Sequence, residues 1–322
     1  MEGQYRYLFG PVRSRRLGRS LGIDLVPFKV CTFDCPYCQV GATVTKTLQR
    51  AEYVPMAGVL SEFDDWLARD GRADCLTLAG AGEPTLHSRF GEVLCGIRRR
   101  CSIRRVLLSN GSLFQDPQVR AAALNADVVK ATLGSWDQES FERVHHPCAG
   151  LAFDAFLAGL ALMRREFSGE YWIEVFLIGG VNDGDEPVQR IADLVKGLRP
   201  DKVHLNTAVR PPWDAAVKPV SEERLRQVAE WFTPMAEVVA AGVGGQTQGG
   251  GVSAISGDLG GRLLQLIRRH PCSAEEAMVA LGAEMDQVSK ALEALMARKE
   301  IRLEWREGRP YFVAVDRPSA GV

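Results

Sequence analysis

Apolar residues recur in short runs near 20–26, 75–79, 105–108, 127–133, 171–178 and 202–207, each about the length of a buried strand. Between them, at 59–68, 118–125, 153–166 and 187–198, the apolar positions follow a helical period. Strands apolar on both faces that alternate with helices predict an α/β fold. The expected sheet is parallel, with right-handed crossovers. Six such strand–helix units fit into residues 1–241.

The pattern breaks at 242–251, where Gly242, Gly244, Gly245, Gly249, Gly250 and Gly251 give low complexity and no packing surface. Residues 242–257 read as a linker. Helical period returns at 258–269. Ser273-x-x-Glu276 then forms a capping-box signature for a short helix that Gly282 can end, and a third helix is expected at about 286–298. Runs at 301–305 and 310–315, joined around Glu307-Gly308, read as a hairpin. Three helices and a two-stranded wing predict a small winged helix-turn-helix domain over 258–316, with 317–322 as a tail. That module often reads nucleic acid, so its charge matters. Residues 258–322 hold ten basic and ten acidic side chains, and the third helix mixes Glu284, Asp286 and Glu293 with Lys290 and Arg298. Neutral balance argues against reading DNA. It favours docking on the main domain, a protein contact or loose contact with RNA.

Composition narrows the class. The 322 residues carry a formal net charge of −1 with 25% charged residues, which suits neither a polyanion binder nor a disordered chain. No apolar stretch suits a signal peptide or reaches the length of a membrane span, so a cytoplasmic protein without membrane contact is expected. Eight cysteines, with Cys75, Cys101, Cys148 and Cys272 far apart, do not resemble a disulfide framework.

Three of those cysteines lie within eight residues, in Cys31-Thr32-Phe33-Asp34-Cys35-Pro36-Tyr37-Cys38. Three thiolates on one loop suit an iron–sulfur cluster with one iron left open for chemistry. A structural zinc wants four closed N/S ligands, and no partner follows at a zinc-ribbon spacing. Further on, Leu76-Thr77-Leu78-Ala79-Gly80-Ala81-Gly82-Glu83-Pro84 runs from a strand into a glycine turn bearing a carboxylate. Val106-Leu107-Leu108-Ser109-Asn110-Gly111 repeats the plan with small polar residues. In this order the motifs resemble the radical SAM superfamily, whose fold is a partial (β/α)6 barrel. The opening Phe9-Gly10-Pro11-Val12-Arg13-Ser14-Arg15-Arg16 and the run Leu205-Asn206-Thr207-Ala208-Val209-Arg210-Pro211-Pro212 resemble the iron–sulfur oxidoreductases related to tRNA wyosine-synthesis enzymes. The likeness spans about residues 5–240.

The resemblance implies a [4Fe–4S] cluster on Cys31, Cys35 and Cys38 and a second cofactor, S-adenosylmethionine, chelated at the open iron. Reductive cleavage then yields a 5′-deoxyadenosyl radical that abstracts hydrogen from substrate. Gly82, Glu83 and Pro84 would meet the methionine amino group, Ser109 and Asn110 the ribose, and Tyr37 the adenine and the cluster's apolar cover. Lys130 and Thr132, two apart on a strand and so on one face, are candidates for the cofactor carboxylate or ribose. A flavodoxin or ferredoxin would donate the electron. Without those companions, each turn would be read as an ordinary strand end.

For substrate, Arg13, Arg15, Arg16 and Arg19 are candidates, because residues 1–30 hold six basic against two acidic residues. Arg210 and Trp213 follow the sixth strand and could reach the barrel mouth. His145 and His146 are either proton donors or a surface helix end. Cys148 is either a reactive thiol or a small hydrophobe. No cysteine precedes Cys31, and after the barrel only Cys272 remains. The second cluster of wyosine-synthesis enzymes and the extensions of glycyl-radical activators and SPASM proteins are therefore not expected. Two readings follow: a single-cluster radical SAM enzyme acting on an RNA base, a peptide or a small metabolite, and a cluster- or SAM-sensing regulator that reads DNA.

Overall fold

The computed structural model describes residues 5–14, 16–239, 259–306 and 308–315. The expected linker, the tail, Glu307, Arg15 and the side chain of Arg13 lie outside the described residues.

The chain opens with β1 (Leu8–Ser14), antiparallel to β2 (Gly18–Ile23). The two-residue strands β3 (Val30–Cys31) and β4 (Thr45–Lys46) pair around the cysteine loop. Then α1 (Met56–Arg69), β5 (Cys75–Leu78), α2 (Phe90–Arg98), β6 (Arg104–Leu108), α3 (Pro117–Ala123) and β7 (Val128–Thr132) alternate. Two helices, α4 (Gln138–His145) and α5 (Phe153–Glu166), lead to β8 (Glu170–Leu177). α6 (Asp185–Leu198), β9 (Lys202–Thr207), α7 (Glu222–Ala229) and β10 (Glu237–Val238) follow. One eight-stranded sheet results, ordered β1-β2-β5-β6-β7-β8-β9-β10, and every pairing from β2 to β10 is parallel. The six strands expected from the apolar runs are all present. β1 was not expected, because its Gly, Pro and Arg residues hide the alternation and a register shift interrupts it between Phe9 and Val12. Gly22 lets β1 close on β2, since a Cβ there would stand 1.9 Å from the Phe9 ring.

The sheet sorts its faces. Leu76, Leu78, Leu107, Val129, Ala131, Ile173 and Val175 join the main core, where Val59, Phe63 and Trp66 of α1 and Val93, Leu94 and Ile97 of α2 lie fully buried. On the other face Cys75, Val106, Val128 and Trp172 form a small apolar floor, and above it the strands carry polar groups. Burial of this kind is worth about 1.5–3 kcal/mol per large side chain. Helix starts follow the sequence: Asp116 caps α3 ahead of Pro117, and Asp137 with Ser140 forms a capping box on α4.

Beyond residue 258, α8 (Leu259–Arg269), α9 (Ala274–Leu281) and α10 (Met285–Ala297) precede the antiparallel hairpin β11 (Ile301–Arg306) and β12 (Arg309–Ala314). Ser273 Oγ accepts from Glu276 N at 3.2 Å, and Gly282 ends α9 at a φ of 60°. Leu263, Ile267, Val288, Leu292, Leu295, Ile301 and Ala314 make a second core, against which Val12 of β1 also packs. α8 and α9 both pack on β1.

Buried histidines give the fold an acid limit. Burial lowers His204 on β9 to about 4 and His270, after α8, to about 3. Both lie below the unfolded value of about 6.5, so the unfolded chain binds more protons once the pH drops under it. Their stabilisation is complete above pH ~6.5 and is lost as pH falls through 6.5 toward 4, at up to about 1.4 kcal/mol per pH unit for each. Urea midpoints of the metal-free chain should fall between pH 7 and 5, less steeply for His204→Gln.

Candidate active site

All three clustered cysteines lie on the loop that leaves β2, at the carboxyl ends of the parallel strands. The loop is tied from three directions and by one bond of its own. Asp34 N donates to His145 O at 3.1 Å, Asn110 Nδ2 to Thr32 Oγ1 at 2.7 Å, Trp213 Nε1 to Cys35 O at 2.8 Å, and Cys38 N to Cys35 O at 3.0 Å. Lys29, at a φ of 56°, directs its Nζ to Cys38 Sγ at 3.2 Å and is buried. Burial alone would lower the Lys29 ammonium; Cys38 and Cys31 outweigh it and raise it. Burial pushes the Cys31 thiol up to about 12, with the Glu83 charge adding to it, and raises Cys35 as well. Thiolate ligands here therefore form with the metal rather than before it.

Three thiols on one short loop are a donor set that fits an iron–sulfur cluster with one iron left open.

The Gly80–Glu83 turn after β5 lies against this loop: Lys29 N donates to Ala81 O at 2.7 Å and Glu83 N to Val30 O at 3.0 Å. Gly82 permits the approach, since a Cβ would stand 2.0 Å from Val30 O. The Glu83 carboxylate, expected beside an amino group, already has four protein donors. Glu83 is 2% exposed; its Oε1 accepts from Thr85 N (3.0 Å), Thr85 Oγ1 (2.6 Å) and Ser109 Oγ (2.8 Å), and its Oε2 from Asn110 N (2.7 Å). The carboxylate fastens the turn to the end of β6. Ser109 and Asn110, the expected ribose ligands, belong to the same network. Ser109 Oγ also accepts from Gly111 N, while Asn110 joins Thr32 to Cys31 Sγ (3.6 Å) and receives Ser112 N on Oδ1. Pro84 opens a short buried 3-10 turn.

Tyr37 stacks on Phe176 with ring centroids 4.0 Å apart, and its hydroxyl lies 3.0 Å from His145 Nδ1. His145 is fully buried among Phe33, Phe141 and Tyr37, so it is not a surface helix end; burial lowers it to about 3 and keeps it neutral. His146 is the left-handed end of α4 and offers its carbonyl to Lys46 Nζ. Cys148 donates its N–H to Thr32 O beside the loop.

Inside the sheet the arrangement differs from expectation. Lys130 Nζ meets Glu174 Oε2 at 2.6 Å, Arg16 meets Oε1 at 2.7 Å, and Asn206 Nδ2 reaches the same oxygen at 3.3 Å. Burial lowers Lys130 to about 8, while Lys130 and Arg16 outweigh burial and hold Glu174 well below the usual carboxylate range. Lys130 and Arg16 are thus paired with protein; Thr132 shares the strand face and is half-buried. Arg19 is not near the mouth, for it pairs with Asp70 at the opposite strand ends. Arg210 pairs with Glu276 of α9 (3.5 Å), and Trp213 holds the cysteine loop. Lys29, Asp24 and Glu174 carry parts of the site that the sequence reading did not assign. The available signal was a lone charge within an apolar run, at 24 and 29 in Asp24-Leu25-Val26-Pro27-Phe28-Lys29-Val30 and at 174 in Trp172-Ile173-Glu174-Val175.

The chain is 34% identical over 301 residues to a UPF0026 protein of Helicobacter pylori, covering 92% of this chain and 94% of that one. It is 33% identical over 226 residues to a UPF0026 protein of Methanocaldococcus jannaschii, covering 70% of each. It is also 30% identical over 299 residues to a Brachyspira hyodysenteriae protein named GTPase Obg, but spans only 43% of that protein's length. In fold it is similar to a radical SAM methyltransferase from Sphaerobacter thermophilus, with a TM-score of 0.52 and 18% identity over 68% of this chain and 66% of that one. Streptococcus suis SuiB bound to S-adenosylmethionine gives a TM-score of 0.50 at 14% identity, over 66% and 46%. No helix among the described residues is long and apolar enough to cross a membrane. A family model described as the radical SAM superfamily matches residues 25–195, more than half of the chain, which therefore belongs to that superfamily and is an enzyme whose cofactors are a [4Fe–4S] cluster and S-adenosylmethionine.

Proposed function

We propose that this chain is a single-cluster radical enzyme: Cys31, Cys35 and Cys38 would hold the [4Fe–4S] cluster, which when bound would supply the one-electron reductive cleavage of S-adenosylmethionine to methionine and a 5′-deoxyadenosyl radical for hydrogen abstraction from substrate. The observation that carries this reading is the three-thiol loop pressed against the Gly80–Glu83 turn. Glu83, Ser109 and Asn110 act by holding the backbone of that turn, which faces the methionine part; Asn110 also fixes Cys31. Phe33, Tyr37 and Phe176 keep water from the sulfurs, and Tyr37 presents its backbone to adenine. The six parallel strands form a partial barrel around the Arg16–Glu174–Lys130 group, a polar floor of fixed charge. A flavodoxin- or ferredoxin-type protein in the cytoplasm supplies the electron.

The substrate is an RNA base, a peptide or a small metabolite, and kinship with wyosine-synthesis enzymes is part of this reading. The C-terminal helices and hairpin, a winged-helix-like domain, orient that target. A regulator that reads DNA is less well supported, because Lys290 on α10 is already paired with Asp286 at 2.7 Å. The test is anaerobic: load the chain with iron and sulfide, add S-adenosylmethionine and a strong reductant, and measure 5′-deoxyadenosine. Deuterium transfer from labelled RNA, peptide and metabolite pools then identifies the substrate class. No 5′-deoxyadenosine from loaded protein, with duplex DNA bound in a steeply salt-dependent way, would favour the regulator.

Lys29 places a cation beside a sulfur, and a nearby positive charge favours the more negative, reduced cluster. Lys29→Met is expected to lower the cluster's midpoint potential by tens of millivolts, read by redox titration with EPR.

A further inference from the structure

The C-terminal helices touch the main domain at the loops after both the first and the last long parallel strands. On one side Arg269, at the end of α8, donates through Nε to Asp24 Oδ2 at 2.9 Å, with a second bond from its Nη2, and its guanidinium lies 4.4 Å from the centre of the Phe9 ring. His270 Nδ1 lies 2.8 Å from Gln39 Nε2, one residue past Cys38. On the other side Glu276 meets Arg210, and Arg306 Nη2 donates to Val217 O at 2.7 Å.

The Asp24 contact is not a surface ion pair. Asp24 is 7% exposed, and its other oxygen accepts from Ala81 N at 3.1 Å, inside the Gly80–Glu83 turn. Gly80, at a φ of 112°, leaves the room for this: a Cβ there would stand 1.6 Å from Asp24 Oδ1. Ala81 O in turn accepts from Lys29 N, and Lys29 meets Cys38. One continuous chain of bonds therefore runs from Arg269 through Asp24 and Ala81 to the cysteine loop. A buried carboxylate stripped of its cation either takes a proton or draws in water, and either change releases the orientation of its remaining acceptor oxygen.

We propose that Arg269, acting through Asp24, is a positioning residue for the Gly80–Glu83 turn, so that the C-terminal domain supplies part of the S-adenosylmethionine site from outside the sheet. The proposal rests on the function assigned above, that this turn faces the methionine part of the cofactor. Arg269 touches no reacting atom. It holds the carboxylate that holds the turn, as outer partners hold metal ligands.

The experiment uses the full chain loaded with iron and sulfide, and reads S-adenosylmethionine affinity by equilibrium dialysis beside iron content and melting temperature. Arg269→Gln is expected to weaken binding about tenfold with iron content unchanged. Asp24→Asn should do the same, and the double variant no more than either alone, because both break one linkage. KM for S-adenosylmethionine should rise more than kcat falls. Arg269→Lys, which keeps the charge and loses the fork, should fall between parent and Arg269→Gln; if the latter proves unfolded, this variant decides the matter. Affinity of a loaded variant within twofold of the parent overturns the proposal. So does loss of iron in Arg269→Gln, since the linkage would then serve the cysteine loop instead. A loaded parent that binds no S-adenosylmethionine overturns the underlying function, a result separate from both.

Discussion

Cys35→Ala is expected to abolish 5′-deoxyadenosine formation and reduce bound iron and sulfide to background, while the chain keeps its fold. In the proposed function each of the three thiols would hold a different iron, so losing one would leave a cluster with two anchors and two open irons, which solvent and oxygen would dismantle. The loop does not depend on that sulfur for its shape. Trp213 Nε1 and Cys38 N grip the Cys35 carbonyl, and the side chain otherwise lies 3.7 Å from His145. Alanine keeps all the backbone bonds, so the melting temperature of the metal-free variant should stay close to that of the parent. Cys148→Ala, on the neighbouring segment, should retain iron and product. Iron analysis with absorption spectra of the two variants checks the pair, and a fully loaded Cys35→Ala would refute the ligand assignment.

Glu83→Ala is expected to destabilise the chain by about 3–5 kcal/mol, as removal of one partner from a buried charged network does. Four donors converge on this carboxylate, from Thr85 N, Thr85 Oγ1, Ser109 Oγ and Asn110 N, and all are left without an acceptor. Native domains have about 5–15 kcal/mol in total, so the loss is a large share. Glu83→Gln keeps the shape but turns one oxygen into an NH2 group, which faces donors on either side. It should lose somewhat less, about 2–3 kcal/mol. Urea unfolding of the metal-free chain measures both. A Glu83→Gln variant as stable as the parent would mean that the carboxyl is protonated in the fold. Burial does push Glu83 up, but the four hydrogen bonds favour the ionised form, and glutamine at this position tells the two states apart.

What the sequence reveals here depends on how local the signal is. The six parallel strands were legible because each is an apolar run covered on both faces, and Cys31, Cys35 and Cys38 because their spacing fits one loop. The helices after residue 258 announce themselves through Ser273 and Gly282. Pairings across the chain were not legible. Arg16 looked like a free cation near the N-terminus, yet its partner Glu174 lies 158 positions away. Lys130 and Thr132 were correctly given one face, but that face meets a carboxylate on the adjacent strand. Ser109, Asn110 and Glu83 have the residue types of a cofactor site, and only the fold reveals that they bond one another. His145 reads as polar in any pattern of hydrophobicity, and its burial follows from the ring of Phe33, Phe141 and Tyr37 around it.

β1 has one further consequence. An open sheet ends in two strands whose outer amides and carbonyls can recruit another chain, and a long flat edge of that kind invites aggregation. Here one edge is the two-residue β10, too short to template a neighbour, and the other is β1, interrupted by Pro11 and the shift near Val12 and packed against α8 and α9. Removing the segment beyond residue 258 would uncover Val12 together with that edge. Such a truncated chain should lose solubility, so the C-terminal helices also protect the protein from self-association.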